Sequence, residues 1–184
     1  APYTPATHWV SALSSHTYAA PNLKSHDQIP LPFGAQVTVS AEHGNFYQTS
    51  AGFIPRQHLR ATGDFLTDPR EVAKMFLGCP YLWGGNSAAG IDCSGLIQAA
   101  CHATGRACPG DSGPQQKFFP ATEGDWAPGQ LIFWPGHVAL TLSATHLIHA
   151  NAHAMAVGIE AIEVAMARIE AAGDGPMLQR SQLT

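Results

Sequence analysis

Charge is what this sequence has least of. Asp, Glu, Lys and Arg make up 12% of its 184 residues, about half of the roughly 25% usual in soluble domains. Nine Lys and Arg against thirteen Asp and Glu leave a net charge of −4. That excludes the basic footprint of a nucleic-acid binder and the cationic stripe of a protein held on anionic lipid. No apolar run approaches the ~20 residues that cross a bilayer. Residues 1–10 have neither a basic start nor an apolar core, so they do not read as a secretory signal, and the expected location is cytoplasmic. None of the four cysteines, at 79, 93, 101 and 108, forms a Cys-x-x-Cys pair. A zinc ribbon and a thioredoxin-like motif are thereby removed. There is no internal repeat and no low-complexity tract. The expectation is a monomer without nucleic-acid or membrane partners.

The length suits one domain plus a small module, at roughly 150 residues per domain. Residues 1–62 read as short strands. Val37-Thr38-Val39 is a β-branched run, residues 45–49 alternate aromatic and polar, and Gly52-Phe53-Ile54-Pro55 is a short closing strand. Prolines 21, 30, 32 and 55, with Gly34 and Gly44, punctuate them as turns do. The run Gly44-Asn45-Phe46-Tyr47, then Gly52-Phe53-Ile54-Pro55 and Leu59, resembles the end of a bacterial SH3 domain. That resemblance implies a small all-β barrel over residues 1–62.

A different pattern begins at Asp68. Asp68-Pro69-Arg70-Glu71 offers an N-cap, a proline at the first helical position and a glutamate at the third, which predicts a capping box. Val72, Met75 and Phe76 follow at helical spacing, with Gly78 as the expected C′ residue. A second helix is predicted over 93–104, capped by Asp92 and ended by Gly105. Residues 131–134 read as a buried strand, and 137–142 and 147–150 as two strands joined by a turn. A last helix carries Ile162, Ala165, Met166 and Ile169, closed by Gly173. Helices first and strands later is the order of an α+β domain, here expected over residues 66–184.

One cysteine stands apart. Cys93 opens a predicted helix, where unpaired N–H groups and the macrodipole favour an anion. Such a field is expected to lower the thiol pKa and raise the thiolate fraction. Cys79, Cys101 and Cys108 are expected to be small core residues. Of ten histidines, His137 and His149 have a distinctive setting, at the start of one predicted strand and the end of the next. A turn centred on Thr145 pairs 137 with 153 and 141 with 149, and puts both imidazoles on one sheet face. A centre half a residue away puts them on opposite faces.

Together these residues sit in fuller motifs. Tyr81-Leu82-Trp83-Gly84-Gly85 and Gly90-Ile91-Asp92-Cys93-Ser94-Gly95-Leu96-Ile97 resemble the signature of the NlpC/P60 family of papain-like cysteine peptidases. Pro128 to Phe133, Gly136-His137-Val138-Ala139-Leu140 and Leu147-Ile148-His149-Ala150 resemble that family's later strands, in the right order. The resemblance implies Cys93 as nucleophile, His137 as base and then acid, and His149 as the orienting third member. It implies Tyr81, Asp92, Ser94 and Ser112 as substrate-binding neighbours. The reaction implied is cleavage of the γ-D-glutamyl bond to a diamino acid in peptidoglycan stem peptides, with no cofactor and no metal, as in recycling of wall fragments. An aspartate beside a nucleophilic thiolate opposes it, and becomes sensible if its carboxylate caps the helix or pairs with a substrate ammonium group. Gly110 and Gln130 stand where the family often has Arg and Asp, so altered substrate contacts or turn packing are expected there.

Two rival readings have their own residues. His146-x-x-His149-x-x-x-His153 has zinc-ligand spacing and would suit a zinc-dependent amidase if it were helical. The apolar Leu147-Ile148 favours a turn and strand instead. The other rival is a catalytically inactive wall-binding module, against which every catalytic position holds a competent residue.

Overall fold

The computed structural model describes residues 5–183. Residues 1–4 and Thr184, the outer ends of the two predicted domains and part of the segment read as lacking a signal, lie outside the described residues. The chain divides between Phe65 and Leu66 into two compact units.

The first unit is built of strands, with a single 3₁₀ turn at Arg56–His58 among its described residues. Its elements are β1 (His8–Val10), β2 (Ser14–Tyr18), β3 (Asp27–Pro32), β4 (Gln36–Val37), β5 (Ala41–His43), β6 (Phe46–Thr49), β7 (Gly52–Pro55) and β8 (Leu59–Ala61). The aromatic alternation at 46–49 and the run at 52–55 do form an antiparallel hairpin. The strands pair into two open sheets, ordered β4-β1-β8 and β3-β2-β7-β6-β5. The expected SH3-like closed barrel is therefore not formed by the described strands, because no strand of one sheet pairs with one of the other. Val10, Ile54 and Leu59 are the shared core, with Leu31, Val37, Val39 and Tyr47 against them. Strand β3 was not anticipated. Its prolines 30 and 32 are tolerated because it is an edge strand, with one row of backbone groups unpaired.

The second unit is a mixed α/β fold. It begins with α1 (Pro69–Met75), the short pair β9 (Asn86–Ser87) and β10 (Gly90–Ile91), then α2 (Cys93–Ala103) and α3 (Ser112–Phe118). There follow β11 (Gln130–Trp134), β12 (His137–Thr141), β13 (His146–Asn151), β14 (Ala156–Ala161), α4 (Ile162–Ala171) and β15 (Gln179–Gln182). The last five strands form an antiparallel sheet ordered β14-β13-β12-β11-β15. Helix α4 covers it with Ile162, Ala165 and Ile169 on Ile132, Trp134, Ala139 and Leu147, while α2 packs on β12 and β13.

Asp68 caps α1, but not through the predicted box. Its carboxylate accepts from the Arg70 backbone N–H at 2.8 Å and from the Arg70 guanidinium at 2.7 and 3.0 Å. Glu71 turns outward to Lys74, 2.7 Å away. The guanidinium draws the carboxylate to the second helical position, so the reciprocal bond is lost. Gly78, expected as C′, lies two residues beyond the C-cap Phe76 at φ +80°.

The hairpin register decides where the histidines point. Leu140 faces Ile148 and Thr141 faces Leu147, so the turn centres on Ala144 rather than Thr145. This is a whole-residue shift. It keeps the parity, and His137 and His149 project from the same sheet face.

Candidate active site

Cys93 is the first residue of α2, and its position is set by the residue before it. Asp92 is extended (φ −99°) and caps the helix by accepting from the Gly95 N–H at 2.7 Å. The same oxygen accepts from the Ser94 hydroxyl at 3.0 Å, and the other carboxylate oxygen takes the Gly84 N–H at 2.8 Å. Behind the cap, Gly95 lies so close to Gly85 that a Cβ there would sit 2.5 Å from the Gly85 carbonyl oxygen. Gly95 therefore packs directly on the 84–85 turn, while a Cβ on Gly85 would instead meet the Gly90 carbonyl oxygen at 2.4 Å.

The Cys93 thiol is buried, 6% exposed. It donates to the Gly136 carbonyl at 3.9 Å, and the backbone N–H of Val138 is directed at its sulfur. Cys93 therefore rests on the backbone on both sides of His137. His137 Nε2 is 2.9 Å from His149 Nδ1. His149 Nε2 is in turn 3.2 Å from Glu160 Oε2. Arg168 grips the same carboxylate, Nη2 to Oε2 at 2.7 Å and Nε to Oε1 at 3.0 Å. His149 pairs with Gly158 across β13 and β14, so Glu160, two residues on, shares its face. The line His137, His149, Glu160 runs diagonally over three strands and continues to Arg168 on α4.

Burial controls the proton affinities. It pushes the Cys93 thiol up, the Asp92 carboxylate adds to that, and the N–H groups of Val138, Ser94 and Cys93 itself only partly oppose it. The expected lowering at the helix N-terminus is thus overturned: removal from water outweighs the helix field. Burial also holds His137 down to about 3, helped by His149 and Arg168 and opposed by Glu160. His149 is held at about 4 by burial, with Glu160 pulling upward and Arg168 downward. Arg168 holds the Glu160 carboxyl below its usual range. The resting pair at neutral pH is a thiol and a neutral imidazole.

Tyr81 stands beside this cluster. Its phenol is pushed up by burial and then by the charges at Cys93 and Asp92, so it remains a proton donor. A cavity of about 500 Å³ opens against His137 and is lined by Tyr81, Trp83, Gly136, Asn151 and Arg168 among others. Trp83 is 84% exposed on its rim. Ser94 is buried and its hydroxyl is engaged by Asp92. Ser112 opens α3, three residues before Gln115, whose Nε2 donates to the Ser94 carbonyl at 3.0 Å; its own hydroxyl has no part in the Cys93–His137–His149 cluster. Cys79 and Cys101 are buried and Cys108 half-buried, all as free thiols.

The zinc spacing does not survive folding. His146 and His149 lie on one strand three residues apart and so face opposite ways, one exposed and one buried. Among the described residues no group of three His, Cys, Asp or Glu could hold a metal ion. Sequence reasoning missed Glu160 and Arg168. The alternation of Val157 and Ile159 was a signal for β14 and so for the face of Glu160; nothing local marked Arg168.

Residues 78–170 match the model of the NlpC/P60 family. The chain is 33% identical over 131 residues to a gamma-D-glutamyl-L-lysine dipeptidyl-peptidase of Bacillus cereus, covering 66% of this chain and 37% of that protein. It is 35% identical over 147 residues to dipeptidyl-peptidase 6 of Lysinibacillus sphaericus, covering 77% of this chain and 53% of that one. It thus spans about half or less of the length of these relatives. A crystal structure of an NlpC/P60 family protein from Bacillus cereus superposes with a TM-score of 0.80 over 96% of this chain and 62% of that chain, at 23% identity. At that identity the likeness concerns the fold.

Proposed function

Since the chain belongs to the NlpC/P60 family, we propose that it is a cysteine peptidase that hydrolyses the γ-D-glutamyl–diamino acid bond of peptidoglycan stem peptides. The observation that carries this reading is the seat of the Cys93 thiol on the backbone flanking His137, with His137 hydrogen-bonded to His149. The relatives named as gamma-D-glutamyl-L-lysine dipeptidyl-peptidase and dipeptidyl-peptidase 6 support the substrate class. The Gly44–Tyr47 and Gly52–Pro55 motifs support an SH3-like origin for the first unit, as part of the same reading.

The chemistry follows from the proton positions. As substrate enters, the Cys93 proton passes to His137, and the sulfur attacks the γ-carbonyl carbon. The oxyanion forms beside the first-turn N–H groups of α2 and the Tyr81 hydroxyl, a protonated donor. The C–N bond then breaks, His137 returns its proton to the departing amine, and a thioester remains on Cys93. His137 next takes a proton from water, whose oxygen attacks the thioester; the C–S bond breaks, the γ-glutamyl acid leaves, and His137 returns that proton to the departing Cys93 sulfur. Asp92, already a cap, would meet the substrate ammonium group with its remaining lone pairs, with Ser94 holding it in place. The cavity beside His137 is where the leaving diamino acid would stand.

The test is release of diamino acid from L-Ala-γ-D-Glu-L-Lys and its diaminopimelate counterpart. The wild type should cleave at least one, and Cys93→Ala should lose all turnover while keeping its fold by circular dichroism. Turnover retained in that variant would overturn the nucleophile. Binding of the peptides by the wild type without cleavage would favour the inactive wall-binding module.

A further inference from the structure

The line from His137 does not stop at His149. The Glu160 carboxylate accepts but cannot donate, so the atom facing it, His149 Nε2, carries the hydrogen. A neutral His149 then has its lone pair on Nδ1. Across the 2.9 Å contact, His137 donates from Nε2. Its Nδ1 is consequently bare. The opposite set of tautomers would turn a lone pair of His149 toward a charged carboxylate. Arg168 secures this order, because two of its nitrogens hold both Glu160 oxygens.

We propose that the Glu160–Arg168 ion pair is a positioning device for the catalytic base, fixing both imidazole tautomers so that His137 keeps an unprotonated Nδ1 for the Cys93 proton. This rests on the cysteine-peptidase reading, although the tautomers can be observed without substrate. The pair also sets the charge around the dyad. A lone carboxylate would draw a proton onto the buried rings, and a lone guanidinium would resist the imidazolium that catalysis needs. Together they supply a hydrogen-bond acceptor with little net charge. The other ionisable groups around the dyad are Cys93 from α2, Tyr81, and His153 on the cavity wall, with Asp174 acting on Arg168.

The deciding measurement is long-range ¹H–¹⁵N correlation of the histidine rings at pH 7, with kcat and KM for stem-peptide cleavage measured alongside. In the wild type both His137 and His149 should be Nε2–H. Glu160→Gln should mix the tautomers and lower kcat about tenfold or more at little change in KM. Glu160→Asp should recover the tautomers and part of the rate. Arg168→Met leaves the carboxylate unneutralised, so the ring pKa values and the acid limb of the rate profile should move to higher pH. Glu160→Gln should move them the other way. A wild-type His137 protonated at Nδ1 would overturn the proposal even if every variant failed to fold. So would a Glu160→Gln enzyme with unchanged tautomers and a rate within twofold of wild type. A wild type that cleaves no γ-glutamyl peptide but has both rings Nε2–H and mixes them in Glu160→Gln would overturn the peptidase assignment alone.

Discussion

The sulfur of Cys93 and the ring of His137 have opposed tendencies at neutral pH, both set by removal from water. The thiol is pushed up and the imidazole down, so neither is charged before substrate arrives. On the proposed peptidase reading, the proton moves from Cys93 to His137 during attack, with no thiolate–imidazolium pair stored beforehand. Alkylation of Cys93 by iodoacetamide should accordingly accelerate steadily from pH 6 to pH 9, as the thiolate fraction grows. A rate flat across that range would mean a preformed ion pair. The helix start that carries Cys93 was readable from its motif, but the protonation state of the thiol was not. A helix N-terminus is visible in the residues around Asp92, whereas burial depends on β12 arriving from over forty residues away.

At the scale of elements, the start of α2 is rigid for a steric reason. Gly85 and Gly95 touch through backbone atoms, which cannot rotate aside as a side chain can. Gly95→Ala should force the α2 N-terminus off the 84–85 turn and cost about 1–3 kcal/mol in urea unfolding. It should lower kcat as well, because the displaced residue carries Cys93. A stable Gly95→Ala protein with full activity would contradict that account. The same elements mark how far local reading extends. The Asp92 cap, the buried run 131–134 and the two histidine strands were legible, since each depends on neighbours a few residues apart. The capping box at Asp68 failed because Arg70 competed for the carboxylate. Strands β3 and β14 went unread because prolines in one and a glycine in the other weaken the alternation of these edge strands, and β2 because its buried positions are the polar Ser15 and Thr17.

For the molecule as a whole, two neutral imidazoles in the second unit make stability depend on pH. His149 is 1% exposed and titrates near 4 when folded, against 6.5 in an unfolded chain. The unfolded state therefore binds more protons below pH 6.5, and stability falls as pH drops through that window toward 4. Between pH 7 and pH 5 the loss from His149 is roughly 2 kcal/mol. Urea midpoints should fall over this interval, and His149→Gln should flatten the dependence. An equal slope in that variant would assign the pH dependence elsewhere.

What the residue order determined by itself was whatever short-range bonding and spacing can specify: the N-cap residues Asp68 and Asp92, the apolar strands and the glycine turns. Tertiary structure alone decided the parity of the hairpin, the separation of the first unit into two open sheets, and the link from His149 through Glu160 to Arg168. It also decided the charges on Cys93 and His137. Hydrogen bonds along a helix or strand are made between near neighbours, so a local window contains both partners. Desolvation and cross-strand register are sums over groups brought together only when the chain closes on itself.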